Sequence, residues 1–504
     1  MWPTNKLHIT GDMLKSTGTV SVGGDTSVAL RTTPGFSTSG LVNNTMYSWS
    51  VRAIDDAGAS SPYAPATLPC RFIFDSAAPA PPRVGSNDFP NADNGENSFG
   101  NDAEDTNWSK LKFGTPGTVY FRALDSDVIR YEYGFNTNSY PVSLTRASGT
   151  PVTTWATAGA VKPPSAGPNV LYVRAVDGAE NVSPPTKFLF YVTPRDQADA
   201  AGDFTGDRLP DLLALNSASN LRLYPSHAVT NLSKGTGDVE SSMSGAYRDN
   251  PDKDPNGGDT EEMFTAPLSG HFTGALITHN GDFYGGDGLQ DLIARVGDRL
   301  WVYPGDGYGA VNINKRREIL LPANAPAPTT LSQITATGDI TGDGLPDMFA
   351  TTGQQLWAFT GYTGAAFSEA RLLTSTSWAA TRDIVSVADI SGDNVPDLLF
   401  RTEETGRGLL LRHGKPATGG VDLNSLATDT SSKTGKDEVY GTGGWTAASI
   451  PMIVGTPDAN GDAIPDLWAI KSDGKLYFYP GGPSAHGASF IAGEGGWTAL
   501  RAIG

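Results

Sequence analysis

The chain has 504 residues, more than one hydrophobic core can serve, so it divides into several domains. Its 60 Gly and 35 Pro, with Trp, Tyr and Phe recurring between them, describe short strands joined by many turns, an all-β protein and not a disordered one. A formal charge of −18 argues against nucleic acid, whose phosphates need a basic face, and against an anionic membrane surface. No run of 18 apolar residues offers a transmembrane helix, so no membrane insertion is expected.

The chain opens Met1-Trp2-Pro3-Thr4-Asn5-Lys6, with no basic segment leading into an apolar one, so no signal peptide is visible. Further on, Tyr47, Trp49, Val51 and Ala53 alternate with polar residues, the period of a half-buried strand. A turn follows at Asp55-Asp56-Ala57-Gly58, then Ser60-Ser61-Pro62. The same phrase returns as Leu171-Tyr172-Val173-Arg174-Ala175-Val176-Asp177-Gly178, ending in Ser183-Pro184. Each copy leads into an aromatic strand, Phe72-Ile73-Phe74 or Phe188-Leu189-Phe190, which predicts two related domains. The phrase resembles the last strands of bacterial immunoglobulin-like or fibronectin III-like modules. The expected bounds are 1–76 and 83–194, joined by a stiff Pro-rich linker at 77–82. Residues 86–107, rich in Asn, Asp and Gly, read as a long loop. Cys70, the single cysteine, has no intramolecular partner and is expected to be a buried apolar residue.

From residue 202 one acidic phrase recurs. Its clearest copy is Asp339-Ile340-Thr341-Gly342-Asp343-Gly344-Leu345-Pro346-Asp347, and the others start at Asp203, Asp389 and Asp458. An altered copy with one extra residue starts at Asp282. We number these loops 1 to 5 from Asp203, Asp282, Asp339, Asp389 and Asp458 in chain order. Calcium takes six to eight oxygens at about 2.3–2.6 Å. A tight loop can aim positions 1, 3, 5 and 9 at one centre, together with the position-7 carbonyl. Turn capping needs one Asp, whereas three at fixed spacing imply a shared cation. The expected ligands are therefore Asp203, Thr205, Asp207 and Asp211 with the Leu209 carbonyl in loop 1. In loop 3 they are Asp339, Thr341, Asp343 and Asp347 with Leu345. In loop 4 they are Asp389, Ser391, Asp393 and Asp397 with Val395, and in loop 5 Asp458, Asn460, Asp462 and Asp466 with Ile464. Loop 2 offers Asp287, Asp291 and Leu289, while its extra residue puts Asp282 and the role of Tyr284 in doubt. Gly342 should bend its loop at positive φ, and the apolar position 7 should turn its side chain into the core.

No glutamate stands at position 12, where Ala350 and Phe400 lie in apolar runs, so each loop leads into a strand and not into an EF-hand helix. Every copy continues into a second strand, aromatic in four of them, such as Leu300-Trp301-Val302-Tyr303 or Leu476-Tyr477-Phe478-Tyr479, and Leu409-Leu410-Leu411-Arg412-His413-Gly414 in the fourth. The array resembles the FG-GAP/VCBS-type repeats of secreted actinobacterial proteins, related to the calcium-loop blades of integrin α-subunit propellers. That resemblance covers 202–504 and implies a β-propeller with calcium in its loops. It also implies a protein exported to the medium or cell surface, for which the visible start is a truncation. The stretch Asp252–Asp259 imitates an acidic loop without the following strand and is expected to be an exposed insertion. Gly495-Gly496-Trp497-Thr498-Ala499 repeats Gly443-Gly444-Trp445-Thr446-Ala447, and the chain then stops where another acidic loop would begin. The last residues read either as a strand closing the ring or as the edge of an array of seven blades cut after five. The cut array is the expectation.

No zinc spacing, nucleophile elbow or phosphate loop occurs, and the scattered His8, His227, His271, His279, His413 and His486 form no motif. Trp301, Trp357, Trp468 and Trp497 fall at strand period and are expected in the core. The expected function is non-catalytic: calcium-dependent adhesion or recognition of an extracellular protein or glycan. The alternative is a carbohydrate-binding propeller targeting an enzyme domain outside this chain.

Overall fold

The computed structural model describes residues 2–3, 41–92, 99, 107–136, 138–226, 242–249, 251, 253–259, 266–376, 378, 381–404 and 407–504. His8, His227, Asp252 and parts of the 86–107 segment lie outside them. The described fold is all-β. Its helical pieces are short 3-10 turns such as Ile313–Lys315, and no helix among the described residues is long and apolar enough to cross a membrane.

At the front, Thr45–Trp49 pairs antiparallel with Cys70–Phe74 and with Trp2–Pro3, setting Tyr47 opposite Phe72. The expected strand stops at Trp49. Val51 is 56% exposed, because only isolated bridges such as Val51 with Ala64 continue the pairing and nothing described covers that face. Cys70, half-buried, opens its strand opposite Trp49.

Residues 83–193 form two sheets packed face to face. One holds Arg83–Gly85, Gly117–Arg122 and Ala156–Val161, and the other is centred on the hairpin Gly167–Asp177 and Thr186–Thr193. Alternation does the packing: Leu171, Val173 and Ala175 are fully buried against Phe121, Tyr131 and Phe190 while Tyr172 and Arg174 point outward. The repeated phrase also folds alike in both places. Asp55 Oδ1 accepts the amides of Ala57 (3.0 Å) and Ala59 (2.8 Å), and Asp177 Oδ1 those of Ala179 (2.8 Å) and Asn181 (2.9 Å). The hydroxyls of Ser61 and Ser183 then accept hydrogen bonds from the amides of Ala53 and Ala175. The segment read as a long loop is partly core, since Phe89 and Ala92 are each 1% exposed.

The back half contains, among the described residues, five four-stranded antiparallel sheets. The inner strands Leu276–His279, Gln333–Gly338, Asp383–Ala388 and Met452–Thr456 each precede an acidic loop. The repeat read from sequence began at the loop and so missed this strand. Loop 1 has no such strand before it; the chain end supplies it. Ala502–Ile503 pairs with Ala214 and Leu215, and Gly504 exchanges two backbone hydrogen bonds with Leu213. The five inner strands then contact one another in a closed circuit. They surround an axial cavity of about 110 Å³ lined by Thr278, Ile334, Val385, Val454 and Ile503. This corrects the expectation of a cut array with open edges: the repeated Gly-Gly-Trp-Thr-Ala phrase stands before an inner strand both times. Gln333 ties two inner strands by bonding both the carbonyl (2.6 Å) and the amide (2.8 Å) of Ile384.

The sandwich and the propeller-like array are joined by more than the chain. Buried Arg248 reaches from the array to Ser165 Oγ (2.9 Å) and to the carbonyls of Ala166 (3.4 Å) and Pro168 (2.5 Å). Trp108 Nε1 donates in the other direction to the Lys253 carbonyl at 2.7 Å.

Candidate functional site

All five acidic loops sit at the same place in their sheets, at the start of the strand that pairs with the inner one. Their core anchor is position 2, where Phe204, Phe283, Ile340, Ile390 and Ala459 are at most 3% exposed. The expected anchor, position 7, is only half-buried in Leu209, Leu289, Leu345 and Ile464, and Val395 alone of the five is buried. The backbone reaches position 7 through two left-handed residues. Gly206, Gly342, Gly392 and Gly461 at position 4 have φ of 76–86°, and Arg208, Gly344, Asn394 and Ala463 at position 6 have φ of 63–82°.

One hydrogen-bond scheme holds each loop. The position-1 carboxylate collects the amides of positions 4, 5 and 6: Asp339 accepts from Gly342 (2.6 Å), Asp343 (3.2 Å) and Gly344 (2.7 Å). Asp203, Asp389 and Asp458 repeat this pattern. In loop 2, Asp282 keeps the role across the extra residue, accepting from Gly286 (3.0 Å) and Gly288 (2.8 Å). Tyr284 is half-buried, under the Arg317 guanidinium. At position 5, Asp207, Asp287, Asp343, Asp393 and Asp462 each take the amide of position 7 on Oδ1.

Position 9 is the deepest. Asp211, Asp291, Asp347, Asp397 and Asp466 are at most 1% exposed. Asp347 Oδ2 accepts the amides of Ile340 and Thr341 at 3.0 Å, and Oδ1 accepts that of Gly361 at 2.9 Å. Gly361 belongs to the end of the following strand, so this carboxylate ties loop, strand and hairpin together. Ser226, Gly305, Gly414 and Gly481 donate the matching bond in the other sheets. A Cβ on Gly305, Gly414 or Gly481 would lie within 2.2 Å of the carbonyl preceding the aspartate. The glycine after this strand in four of the five sheets was visible in the sequence, but its tie to position 9 was not.

Burial makes these loops electrostatically costly. Desolvation pushes the carboxyls of Asp291 and Asp466 up to about 7 and that of Asp347 to about 6, and raises those of Asp211 and Asp397. Asp203 is pushed to about 6 by burial and then by Asp207. Asp199, which the repeat pattern could not reveal, stands beside loop 1. Burial and Asp203 raise it to about 8. Gln290 bridges loops 1 and 2, its Oε1 accepting the amides of Gly202 and Gly281 at 2.9 Å.

The donor chemistry fits a hard divalent cation. Position 3 of loop 1 supports this: Thr205 is fully buried, yet its Oγ1 has no hydrogen-bond partner. In loop 3 the corresponding Thr341 Oγ1 bonds Asp347 Oδ2 at 3.1 Å, and in loop 5 Asn460 Nδ2 bonds Asp462 and Asp466. The loops' carboxylate triplets are not drawn within 4.8 Å of one another. Among the described residues, a different trio is that tight: Asp75, Asp127 and Asp177, where the front strands meet the sandwich. The spacing of these three in sequence gave no sign of it.

The remaining expectations find their places. Trp357, Trp468 and Trp497 are at most 7% exposed, while Trp301 is half-buried under Arg316. Part of the 252–259 insertion forms an exposed turn, in which Asp254 caps Asn256 and Gly258. A polar cleft of about 340 Å³ opens beside loop 3, lined by Asp343, Thr360, Glu369, Arg371 and Asp422.

A family model described as an FG-GAP-like repeat matches residues 339–400, which include loops 3 and 4. No curated protein matches the chain. Among solved structures, an Agrocybe aegerita lectin described as recognising non-reducing terminal N-acetylglucosamine is similar at 13% identity. It covers 66% of this chain and 78% of its own, with a TM-score of 0.33. A mutant of AofleA from Arthrobotrys oligospora is similar at 12% identity, covering 76% and 91%, with a TM-score of 0.30. The TcdB2-TccC3 structure, at 13% identity and a TM-score of 0.23, spans 85% of this chain but only 20% of its own. The architecture stands on the strand pairings.

Proposed function

We propose that this chain is an exported, non-catalytic recognition protein: immunoglobulin-like spacer modules fused to a propeller whose five acidic loops hold structural calcium. The observation that carries the reading is the buried Asp at position 9 of every loop, in a loop that carries two further carboxylates at positions 1 and 5, with Thr205 Oγ1 left without a partner in loop 1. Uncompensated, such a gathering of charge opposes folding, and a divalent cation offsets it. Extracellular calcium modules work at dissociation constants of about 0.1–1 mM, which suits an exported protein. Excess chelator should therefore lower the melting temperature of the full chain, and returning calcium, but not sodium at equal ionic strength, should restore it. An unchanged transition in chelator would refute the calcium assignment.

A second reading takes the ligand to be a glycan, bound by a propeller that targets an enzyme elsewhere in a longer protein. The cleft beside loop 3 favours it, since Glu369, Arg371, Thr360 and Asp422 present donors and acceptors suited to sugar hydroxyls. A glycan array probed with and without Arg371→Ala and Glu369→Ala tests it. Binding that survives both substitutions excludes the cleft, and no binding at all favours a protein ligand. A hydrolase screen with a chelator control tests the non-catalytic assignment.

A further inference from the structure

Loop 4 differs from loops 3 and 5 in what faces its position-5 carboxylate. Lys433 Nζ stands 2.5 Å from Asp393 Oδ2. Among the described residues no ion pair reaches Asp339, Asp343 or Asp347 of loop 3, or Asp458, Asp462 or Asp466 of loop 5.

Lys433 is brought there by an inserted segment between the strands Gly408–Arg412 and Glu438–Gly441 of the fourth sheet. That segment is fastened from beneath. The Arg412 guanidinium pairs with Asp437 at 2.7 Å, with neither side chain more than 4% exposed. It also donates to the carbonyls of Leu426 (3.0 Å) and Ala427 (2.9 Å). Above this anchor, buried Ser432 bonds the carbonyls of Asp429 (2.7 Å) and Lys436 (3.2 Å). The Lys433 amide donates to the His413 carbonyl at 2.9 Å. The backbone at 433 is thus fixed over loop 4, and only the lysine's own stem is free to move.

We propose that Lys433 is a tethered counter-ion: its ammonium takes, in loop 4, the place that a divalent cation takes in loops 3 and 5. Loop 4 then keeps its shape without calcium at concentrations that fill the other two. The inference rests on the calcium reading given above. A tethered group acts at an effective concentration of millimolar or higher. Calcium at an extracellular site binds with a dissociation constant of about 0.1–1 mM, so at free calcium near or below that range the site is only partly filled, while the attached ammonium is always present. It also consumes one of the three carboxylate charges and repels an incoming cation. The fourth sheet would thereby stay folded when calcium is scarce, giving the ring a calcium-independent segment.

The test counts calcium ions per chain on the full-length protein, by elemental analysis after gel filtration in about 1 mM free calcium. Lys433→Met should bind one more ion than the unmodified chain. Asp393→Asn should leave the count unchanged, whereas Asp343→Asn, in loop 3, should lower it by one. A Lys433→Met count equal to that of the unmodified chain overturns the proposal, as does loss of an ion in Asp393→Asn, even where Asp343→Asn behaves as expected. No calcium in any form of the chain overturns this proposal and the calcium reading together. Lys433 is about half exposed, so its replacement leaves the core intact. Asp393→Asn decides the matter independently.

Discussion

Ala463 occupies the left-handed region at φ 69°, where Gly344 stands in loop 3. An L-residue there costs about 1–2 kcal/mol relative to glycine. Ala463→Gly should therefore stabilise the chain by about 1 kcal/mol, read as a shift in the denaturant midpoint at constant slope. Gly342→Ala should do the reverse and more, because its Cβ would meet the Gly419 carbonyl at 1.9 Å as well as the unfavourable φ of 77°. Gly392→Ala has the same φ penalty in open space, so the difference between the two isolates the close approach. The buried carboxyls set a pH dependence too. Asp291 and Asp466, raised to about 7 from 3.8, hold a proton more tightly folded than unfolded. Their contribution is therefore complete below about pH 4 and is lost as pH rises through 7. In chelator the melting temperature should fall between pH 5 and pH 8. With saturating calcium, which binds the ionised form, that fall should vanish or reverse. A chelated protein that grows more stable over the same interval would contradict the assignment.

Within each loop, positions 5 and 9 do different work, and substitution separates them. Asp347 satisfies three amides from within the core. Leaving buried donors unpaired costs about 1–3 kcal/mol apiece, so Asp347→Ala should destabilise by about 3 kcal/mol or more even in chelator, and by more in calcium, where a ligand is lost as well. Asp343 is exposed and takes one amide. Asp343→Ala should cost stability in calcium and little in chelator. Equal losses in both media would make position 5 a turn cap only. The sequence showed the loops because their chemistry is local: three acids, a glycine and a proline within nine residues. It showed the aromatic strands for the same reason. It misplaced the core anchor, since position 7 is as apolar as position 2 and only the turn of the backbone between them decides which faces inward. It also missed the inner strands, which carry no acidic marker. Runs such as Gln333–Gly338 become strands because neighbouring sheets enclose them. Lys433 beside loop 4 is 36 residues downstream of Asp397, and no local pattern connects them.

At the scale of the molecule, Arg248 fastens the sandwich to the ring through three acceptors. Arg248→Met should keep both parts folded while splitting one calorimetric transition into two, since the guanidinium's buried partners lie on the other part. A single transition in the variant would assign the coupling to the wider contact around Tyr308 and Trp108. The pairing of Ala502–Ile503 with Leu212–Leu215 joins positions almost 290 residues apart, Ala214 with Ile503. On a ribosome adding about 5–20 residues per second, the partner of the first sheet emerges roughly 15–60 s after that sheet's own strands. Throughout that interval Leu213 presents unpaired backbone groups on an open edge, the kind of template that neighbouring nascent chains can join. Translation speed and chaperone supply, more than the stability of the finished ring, should therefore govern how much of this protein a producing cell recovers in soluble form.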